Sequence, residues 1–147
     1  MKKQAIKAFV LLSLLLPLSA IYVYAQGKTL IREVKIPFDF SVGAKTFPAG
    51  VYSVTRVNQE KIMLRLSSKD GGEAIHIMTV PVQAHESPKT AKLIFSRYGE
   101  TYFLSQIWES AETQGHKLVK SRTERSVERD LAKRGEGPAI IDIVSTP

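Results

Sequence analysis

The chain contains three histidines, His76, His85 and His116, and the carboxylate Glu86 directly follows one of them. Because the sequence has no cysteine, imidazole nitrogens and carboxylate oxygens are the ligands that a zinc-type ion could use. No two histidines stand at the i, i+2 or i, i+4 spacing that places ligands side by side on a strand or a helix. We expect one histidine on a strand and two in loops, all at the surface, and predict neither a metal site nor a cofactor.

Four carboxylates, Asp39, Asp70, Glu73 and Glu100, could in pairs act as general acid and base. Nothing in their spacing brings two of them together. The sequence lacks a Gly-x-Ser-x-Gly elbow, a His-Glu-x-x-His motif, a phosphate-binding glycine loop and a dinucleotide fingerprint. Thiol catalysis is excluded because there is no cysteine. We expect turn and surface carboxylates and assign no catalytic residue.

One stretch is rich in aromatic residues: Tyr98, Tyr102, Phe103 and Trp108. Such a group could stack on sugar rings or other flat ligands, and the hypothetical platform consists of Tyr98, Tyr102 and Trp108. Aromatic residues at this spacing more often form core and cross-strand pairs in a hairpin, which is the interpretation that we favour.

The positive charge of the chain is concentrated near its C-terminus. Between residues 116 and 134, seven basic residues stand against Glu124, Glu128 and Asp130, whereas the rest of the chain after residue 25 is balanced. The seven are Lys117, Lys120, Arg122, Arg125, Arg129, Lys133 and Arg134. Such a cluster favours anionic membrane head groups or lipopolysaccharide phosphates. A solvated, salt-bridged helix would explain the same composition.

Residues 1–25 are typical of a secretory signal peptide. Lys2, Lys3 and Lys7 give a positive start, and residues 8–16 are apolar apart from one serine. Pro17 then breaks any helix. The segment therefore predicts export to the periplasm or the medium.

Cleavage is expected after Ala25, where compact residues occupy the −3 and −1 positions, with Ala20 as the alternative. An uncleaved membrane anchor is the competing interpretation, because the apolar stretch approaches the length of a bilayer span. Export would keep the protein away from nucleic acid, which we therefore exclude as a partner. Without cysteine, its stability has to come from packing alone.

The next part of the chain reads as strands and turns. Apolar residues alternate from Val34 through Ile36 and Phe38 to Phe40, and Pro37 among them suits an edge strand. Turns are expected at residues 41–45 and 47–50, followed by a strand over 51–57 on which Tyr52 and Val54 share a face.

A hairpin is expected over residues 62–77. Its turn lies at Asp70-Gly71 or at Gly71-Gly72, and either choice gives the same facing of side chains. Ile62, Leu64 and Leu66 should share a face with Ile75 and Ile77, and His76 should point the other way.

A third hairpin is expected over residues 91–108, around a type II′ turn at Gly99-Glu100. This turn pairs Phe95 with Leu104, Leu93 with Gln106, and Arg97 with Tyr102, where a cation–π contact is possible. Trp108 should lie on the face of these pairs, and Ile94, Phe103 and Ile107 on the other. Because both faces are partly apolar, we expect this hairpin to be covered on both sides.

The one clear helix spans residues 122–134. Ser121 and Glu124 form a capping box, and no Gly or Pro interrupts the segment before Gly135. Its apolar stripe is limited to Val127 and Leu131, so we expect a marginal, mobile helix. We expect Asp130 to pair with Arg134, and Arg125 and Arg129 to repel each other. Residues 135–147 read as a flexible tail or as an edge strand over 139–144.

Three segments carry a family resemblance: Val34-Lys-Ile-Pro-Phe-Asp-Phe-Ser-Val-Gly43, Phe47-Pro-Ala-Gly-Val-Tyr-Ser-Val54 and Arg97-Tyr-Gly-Glu-Thr-Tyr-Phe-Leu104. With Trp108 and the basic helix, they resemble a family of short exported bacterial proteins of unknown function. The resemblance implies a common small β fold and no particular activity. The Pro-Ala-Gly-Val-Tyr segment is also similar to segments of immunoglobulin-like and transthyretin-like sandwiches, which does not license a function.

We therefore predict a mainly β chain: a small antiparallel β-sandwich or partly open barrel of about seven strands with one C-terminal α-helix. The expected parts are a signal peptide (1–25), an antiparallel β domain (26–120), the basic helix (121–134) and the tail (135–147). The expected function is that of a non-catalytic envelope or secreted module that binds an envelope protein or an anionic surface. The alternative is a small-ligand carrier or enzyme with a pocket in the barrel interior, lined by Tyr52, Trp108 or His76.

Overall fold

The computed structural model describes residues 27–57 and 62–145. The predicted signal peptide and its cleavage sites lie outside these residues. Within them the chain forms ten strands and one helix. The strands are β1 Thr29–Ile36, β2 Phe40–Val42, β3 Lys45–Phe47, β4 Gly50–Arg56, β5 Met63–Ser68, β6 Ala74–Gln83, β7 Lys92–Tyr98, β8 Thr101–Trp108, β9 Gln114–Leu118 and β10 Ala139–Val144. The helix is α1, Arg122–Ala132.

The long strand β6 joins two antiparallel layers. Residues 74–78 of β6 pair with β5, which continues to β4 and β1. Residues 79–83 pair with β9, which continues through β8 and β7 to β10. The β2–β3 hairpin attaches to β8 by a parallel bridge between Ser41 and Phe103. The sheet path does not close on itself, so the prediction of a mainly β fold with one C-terminal helix is confirmed, with ten strands rather than about seven.

One hydrophobic core lies between the two layers. The first layer contributes Val34, Ile36, Tyr52, Val54, Leu64 and Leu66, and the second contributes Leu93, Phe95, Leu104 and Ile107. Phe40 and Phe47, from the β2–β3 hairpin, stack at 5.6 Å and close one part of this core. Tyr52 and Val54 share the inward face, as their alternation predicted.

The β5–β6 hairpin has the predicted facing. Leu64 pairs with Ile77 and Leu66 with Ile75, and exposed His76 lies opposite Arg65 on the outer face. The connection is longer than two residues, because the Ser68 amide donates to the Glu73 carbonyl at 2.7 Å and closes a four-residue loop. That loop is centred on Asp70-Gly71, so the register of the first alternative is the correct one.

The β7–β8 hairpin keeps the predicted register only near its turn. Gly99 has a φ of 61°, and the φ of Glu100 is not positive, as a type II′ turn requires. Phe95 faces Leu104 and Arg97 faces Tyr102 as predicted, and the Arg97 guanidinium lies 5.5 Å from the centre of the Tyr102 ring.

A β-bulge then shifts the register between Ile94 and Phe95. Leu93 faces Ile107 rather than Gln106, so that part of the prediction is wrong. The extra residue is Ser105 on β8, which lies between the partners of Phe95 and Ile94. Because a bulge adds one residue to one strand, the residues of β8 after Ser105 lie on the face opposite to the one expected. Ile107 therefore points into the core, and Trp108, although it is buried, lies on the outer face of the sheet, opposite to the expectation.

The segment that starts at Val34 is not one continuous strand. β1 starts earlier, at Thr29, and stops at Ile36 before Pro37. Phe38 then lies between strands and stacks on Tyr102 at 3.9 Å. β1 forms one end of the sheet path, as the edge interpretation of Pro37 predicted.

The helix begins as its capping box predicted: the Glu124 amide donates to the Ser121 hydroxyl at 3.0 Å. It ends at Ala132, two residues before the predicted end, and Gly135 adopts a φ of 75° just beyond. Asp130 pairs with Lys133 at 3.3 Å rather than with Arg134. Among the residues that the structure describes, no helix has both the length and the apolar character needed to cross a bilayer.

The segment after the helix forms β10, which pairs antiparallel with β7 over all six of its residues. The edge strand is therefore the correct one of the two alternatives for residues 139–144.

Candidate functional site

The seven basic residues of the C-terminal segment fall into three groups. Lys120 contacts Glu128 at 2.5 Å, and Lys133 contacts Asp130 at 3.3 Å. Lys117 is exposed on β9, and Arg134 is exposed just after the helix. The remaining three, Arg122, Arg125 and Arg129, belong to α1.

These three arginines form one exposed face of α1, which we call the arginine face. Their spacing of three and four residues places them on one side of the helix, where they line an open groove of about 390 Å³ together with Glu128. The Arg129 guanidinium donates to the Arg125 carbonyl at 3.2 Å. Within residues 27–57 and 62–145, no acidic side chain forms an ion pair with any of the three. Their positive charge is thus available to an external anion.

The opposite side of α1 is held to the sheet by polar groups, and Val127 and Leu131 on this side are half-buried. Glu124 is only 5% exposed, and the Tyr98 hydroxyl on β7 donates to its carboxylate at 3.4 Å. Burial raises the pKa of Glu124, while Lys120 and the Tyr98 hydroxyl oppose the rise. Burial likewise raises the pKa of Tyr98.

The buried contact of Glu124 with Tyr98 was not predicted from the sequence. The capping box indicated that Glu124 occupies the first helical turn. Its burial depends on Tyr98, which lies 26 residues away in the sequence. No local pattern carries that information.

The three residues of the hypothetical aromatic platform do not form one surface. Tyr98 faces outward beneath the helix and contacts Phe103 edge to face at 5.8 Å. Tyr102 faces inward, stacked on Phe38. Trp108 lies on the outer face at the far end of β8, where its ring packs against Gly115 and its Nε1 donates to Gln106 at 2.9 Å. The arrangement fits the core and hairpin interpretation.

The histidines lie in three separate environments. His76 is exposed on β6 and His85 is exposed in a loop, but His116 is buried on β9, 3.2 Å from the Thr79 hydroxyl. The expectation of a surface loop was wrong for His116, because pairing with β6 and β8 draws the segment into the sheet. In the described ranges, no three His, Asp or Glu side chains are grouped as metal ligands.

The four candidate acid and base carboxylates are also apart. Asp39, just before β2, accepts the Ala49 amide, just after β3, at 2.8 Å. Glu73 lies 3.6 Å from Lys45, and Glu100 lies 3.0 Å from Arg97. Asp70 is exposed in the β5–β6 loop. Each carboxylate thus serves its own turn or ion pair.

The three residues expected to line an interior pocket lie in different parts of the fold, with Tyr52 in the core and Trp108 and His76 on the outer face. Tyr52 is 1% exposed, its hydroxyl donates to the Pro48 carbonyl at 2.7 Å, and its ring contacts Phe40 edge to face at 5.2 Å. Trp108 lines an open groove on the outer face, beside Lys92 and Ile94.

The chain matches no protein-family model, no curated protein and no solved structure.

Proposed function

We propose that this chain is an exported, non-catalytic β-domain module that binds an anionic surface of the cell envelope through the arginine face. The observation that carries the proposal is the presence of three exposed arginines on one side of α1, with no ion pair to any described residue. Lys120 and Lys133 contribute less, because Glu128 and Asp130 already neutralise them. The chemistry recognised is that of phosphate groups on anionic lipids or lipopolysaccharide.

The expected contribution is large enough to measure. A basic side chain close to an anionic membrane is worth about 1 kcal/mol. Three such residues together contribute about 3 kcal/mol, which is roughly a hundredfold in affinity. Because this attraction is electrostatic, it should weaken steeply as salt is added.

The test compares binding to vesicles that contain an anionic phospholipid with binding to purely zwitterionic vesicles. The natural protein without residues 1–25 should bind only the anionic vesicles, and its Arg122→Ser, Arg125→Ser, Arg129→Ser variant should lose most of that binding. The matched control is Arg32→Ser, Lys35→Ser, Arg65→Ser, which removes the same charge from exposed positions on β1 and β5. Equal losses of vesicle binding in the two variants would mean that only the net charge of the protein matters. Unchanged binding by the helix variant would refute the proposal.

Export is tested separately, by fractionating cells and sequencing the N-terminus of the recovered protein. We expect a periplasmic or secreted protein that begins at Gln26, after cleavage at Ala25. A start at Ile21 would identify the alternative site. A cytoplasmic protein with an intact N-terminus would contradict the proposal of export.

A further inference from the structure

One edge of β10 has no partner strand among the residues that the structure describes. Its register places Ile141 opposite Phe95 and Ile143 opposite Leu93, and the Ser145 amide donates to the Ala91 carbonyl at 2.9 Å. Because backbone groups alternate between the two sides of an antiparallel strand, residues 141 and 143 bond toward β7. The amides and carbonyls of residues 140, 142 and 144 point the other way, where no described strand pairs with them.

The side chains of these outward-bonding residues lie on the outer face of the sheet. Ile140 is 62% exposed and Val144 is 52% exposed, whereas Ile141 and Ile143 pack against the core. Asp142, midway between them, contacts Lys92 at 2.7 Å. β10 therefore combines a free backbone edge with two exposed apolar side chains.

The other edges carry the features that discourage pairing. Register shifts interrupt β1 in two places, and exposed Arg32, Glu33 and Lys35 lie along it. β3 is only three residues long. Bulges, charges and short length are the usual protection of an edge strand. β10 has an unbroken register and a single charge, which Lys92 neutralises.

We propose that β10 pairs antiparallel with β10 of a second copy of this chain, centred on Asp142, and so joins two sheets into one dimer. The sequence Ile-Ile-Asp-Ile-Val is apolar symmetrically about its aspartate, as self-pairing about a two-fold axis requires. In this register Ile140 of each copy lies opposite Val144 of the other. Residues 140, 142 and 144 of each strand each donate and accept one backbone hydrogen bond across the axis.

The two Asp142 residues meet at the axis, where like charges would repel. Each carboxylate is held by its own Lys92, so the axis carries two ion pairs rather than two isolated anions. The charge that would protect a lone edge thus becomes part of a neutral cluster.

The dimer has a consequence that rests on the proposed function. A two-fold axis between antiparallel strands is perpendicular to the sheet, so both copies of α1 lie on the same face of the joined sheet. From the strand spacing and the rise per residue, the two copies of Tyr98 under these helices are about 30 Å apart. Both arginine faces can then contact one surface, which raises the apparent affinity without any new contact.

Single cysteines test the register, because the natural chain has none. Asp142→Cys puts two sulfurs across the axis, where Cα atoms about 5.5 Å apart suit a disulfide. Ile140→Cys puts them about 13 Å apart or more. We expect copper-phenanthroline oxidation to give a covalent dimer with Asp142→Cys and little with Ile140→Cys. Equal cross-linking of the two variants would overturn the register.

Paired substitutions at the exposed positions test the dimer in solution by sedimentation velocity over a concentration series. The double variant Ile140→Lys, Val144→Lys places lysines opposite each other and should be monomeric. Ile140→Lys, Val144→Glu places Lys opposite Glu at both ends and should associate like the natural chain. A natural chain that sediments as a monomer at every concentration, or two double variants that behave alike, would refute the dimer.

The same variants separate this inference from the proposed function. The Ile140→Lys, Val144→Lys variant carries more positive charge than the Ile140→Lys, Val144→Glu variant. The vesicle affinity of each variant is therefore measured at several salt concentrations, so that the effect of added charge can be separated from the effect of dimerisation. A natural chain that is monomeric but still binds anionic vesicles would refute only the dimer. A natural chain that is dimeric but does not bind anionic vesicles would refute only the proposed function.

Discussion

The hydroxyl of Tyr98 on β7 lies 3.4 Å from a carboxylate oxygen of Glu124 in the first turn of α1, and both residues are buried. Burial raises the pKa of Tyr98, and the neighbouring Lys120 opposes that rise. The helix that carries the arginine face is thus attached to the sheet by a small polar cluster.

Replacing Tyr98 by Phe removes the donor to Glu124 while keeping the ring that contacts Phe103. We expect a loss of about 2 kcal/mol in the free energy of unfolding, because the buried carboxylate loses a hydrogen bond. Urea unfolding followed by circular dichroism measures it. Tyr102→Phe is the matched control and should change stability by less than about 0.5 kcal/mol, since its ring stacks but its hydroxyl makes no hydrogen bond to a described residue. A similar loss of unfolding free energy in both variants would mean that the Tyr98–Glu124 hydrogen bond does not stabilise the protein.

Glu124→Gln should change how stability depends on pH. Burial raises the folded-state pKa of Glu124, so the folded protein binds a proton that the unfolded chain has released. The stabilisation from this proton is complete below the unfolded pKa and is lost as the pH rises through the folded pKa. Lys120 and Glu128 face the same carboxyl with opposite effects on its pKa.

Gln stays neutral and can still accept from Tyr98. The variant should therefore gain stability relative to the natural chain when the pH is raised from 4 to 7, as thermal unfolding at several pH values will measure. Glu112→Gln, at an exposed position, should show no such relative gain. A pH-independent difference for Glu124→Gln would mean that its pKa is the same in the folded and unfolded states.

Gly115→Ala should be destabilising. A Cβ atom at this position would lie 2.6 Å from ring atoms of Trp108, closer than packed atoms approach. The ring, which is 7% exposed, would have to move, and overpacking of this kind costs about 1–3 kcal/mol. The melting temperature and the fluorescence of this single tryptophan should both change. Gly137→Ala, where a Cβ meets nothing within 4 Å, should leave both unchanged.

Thr79→Val should cost about 1–2 kcal/mol, because the buried Thr79 hydroxyl donates to the Ile62 carbonyl and lies 3.2 Å from His116 Nδ1. Thr79→Ser keeps the hydroxyl and should retain the environment of the His116 ring, which the chemical shifts of its ring protons report. If Ser and Val shift those signals equally, the hydroxyl does not position the ring.

Local patterns were sufficient wherever the controlling contacts are close in sequence. The alternation in β5 and β6 predicted the correct faces, because side chains on a strand alternate whatever the surroundings. The Gly99-Glu100 turn predicted the correct partners of Phe95 and Arg97, which are close to it in sequence. Ser121 and Glu124 likewise predicted the start of α1.

Local patterns failed where one strand has several partners. β8 pairs with β2 at Phe103 and with β9 at Gln106 and Ile107, and its bulge lies between these contacts. The bulge reversed the expected faces of Ile107 and Trp108. The segment Gln114–Leu118 has no alternating pattern of its own, so neither β9 nor the burial of His116 could be predicted.

The sequence by itself determined the β-rich class, the absence of thiol chemistry and the position of the basic segment, because composition and periodicity do not depend on distant contacts. Only the tertiary structure decided which side of α1 stays exposed. Glu124, on one side of the helix, is buried against Tyr98 of β7. Arg122, Arg125 and Arg129 remain exposed because the opposite side of the same helix is the one that packs on the sheet.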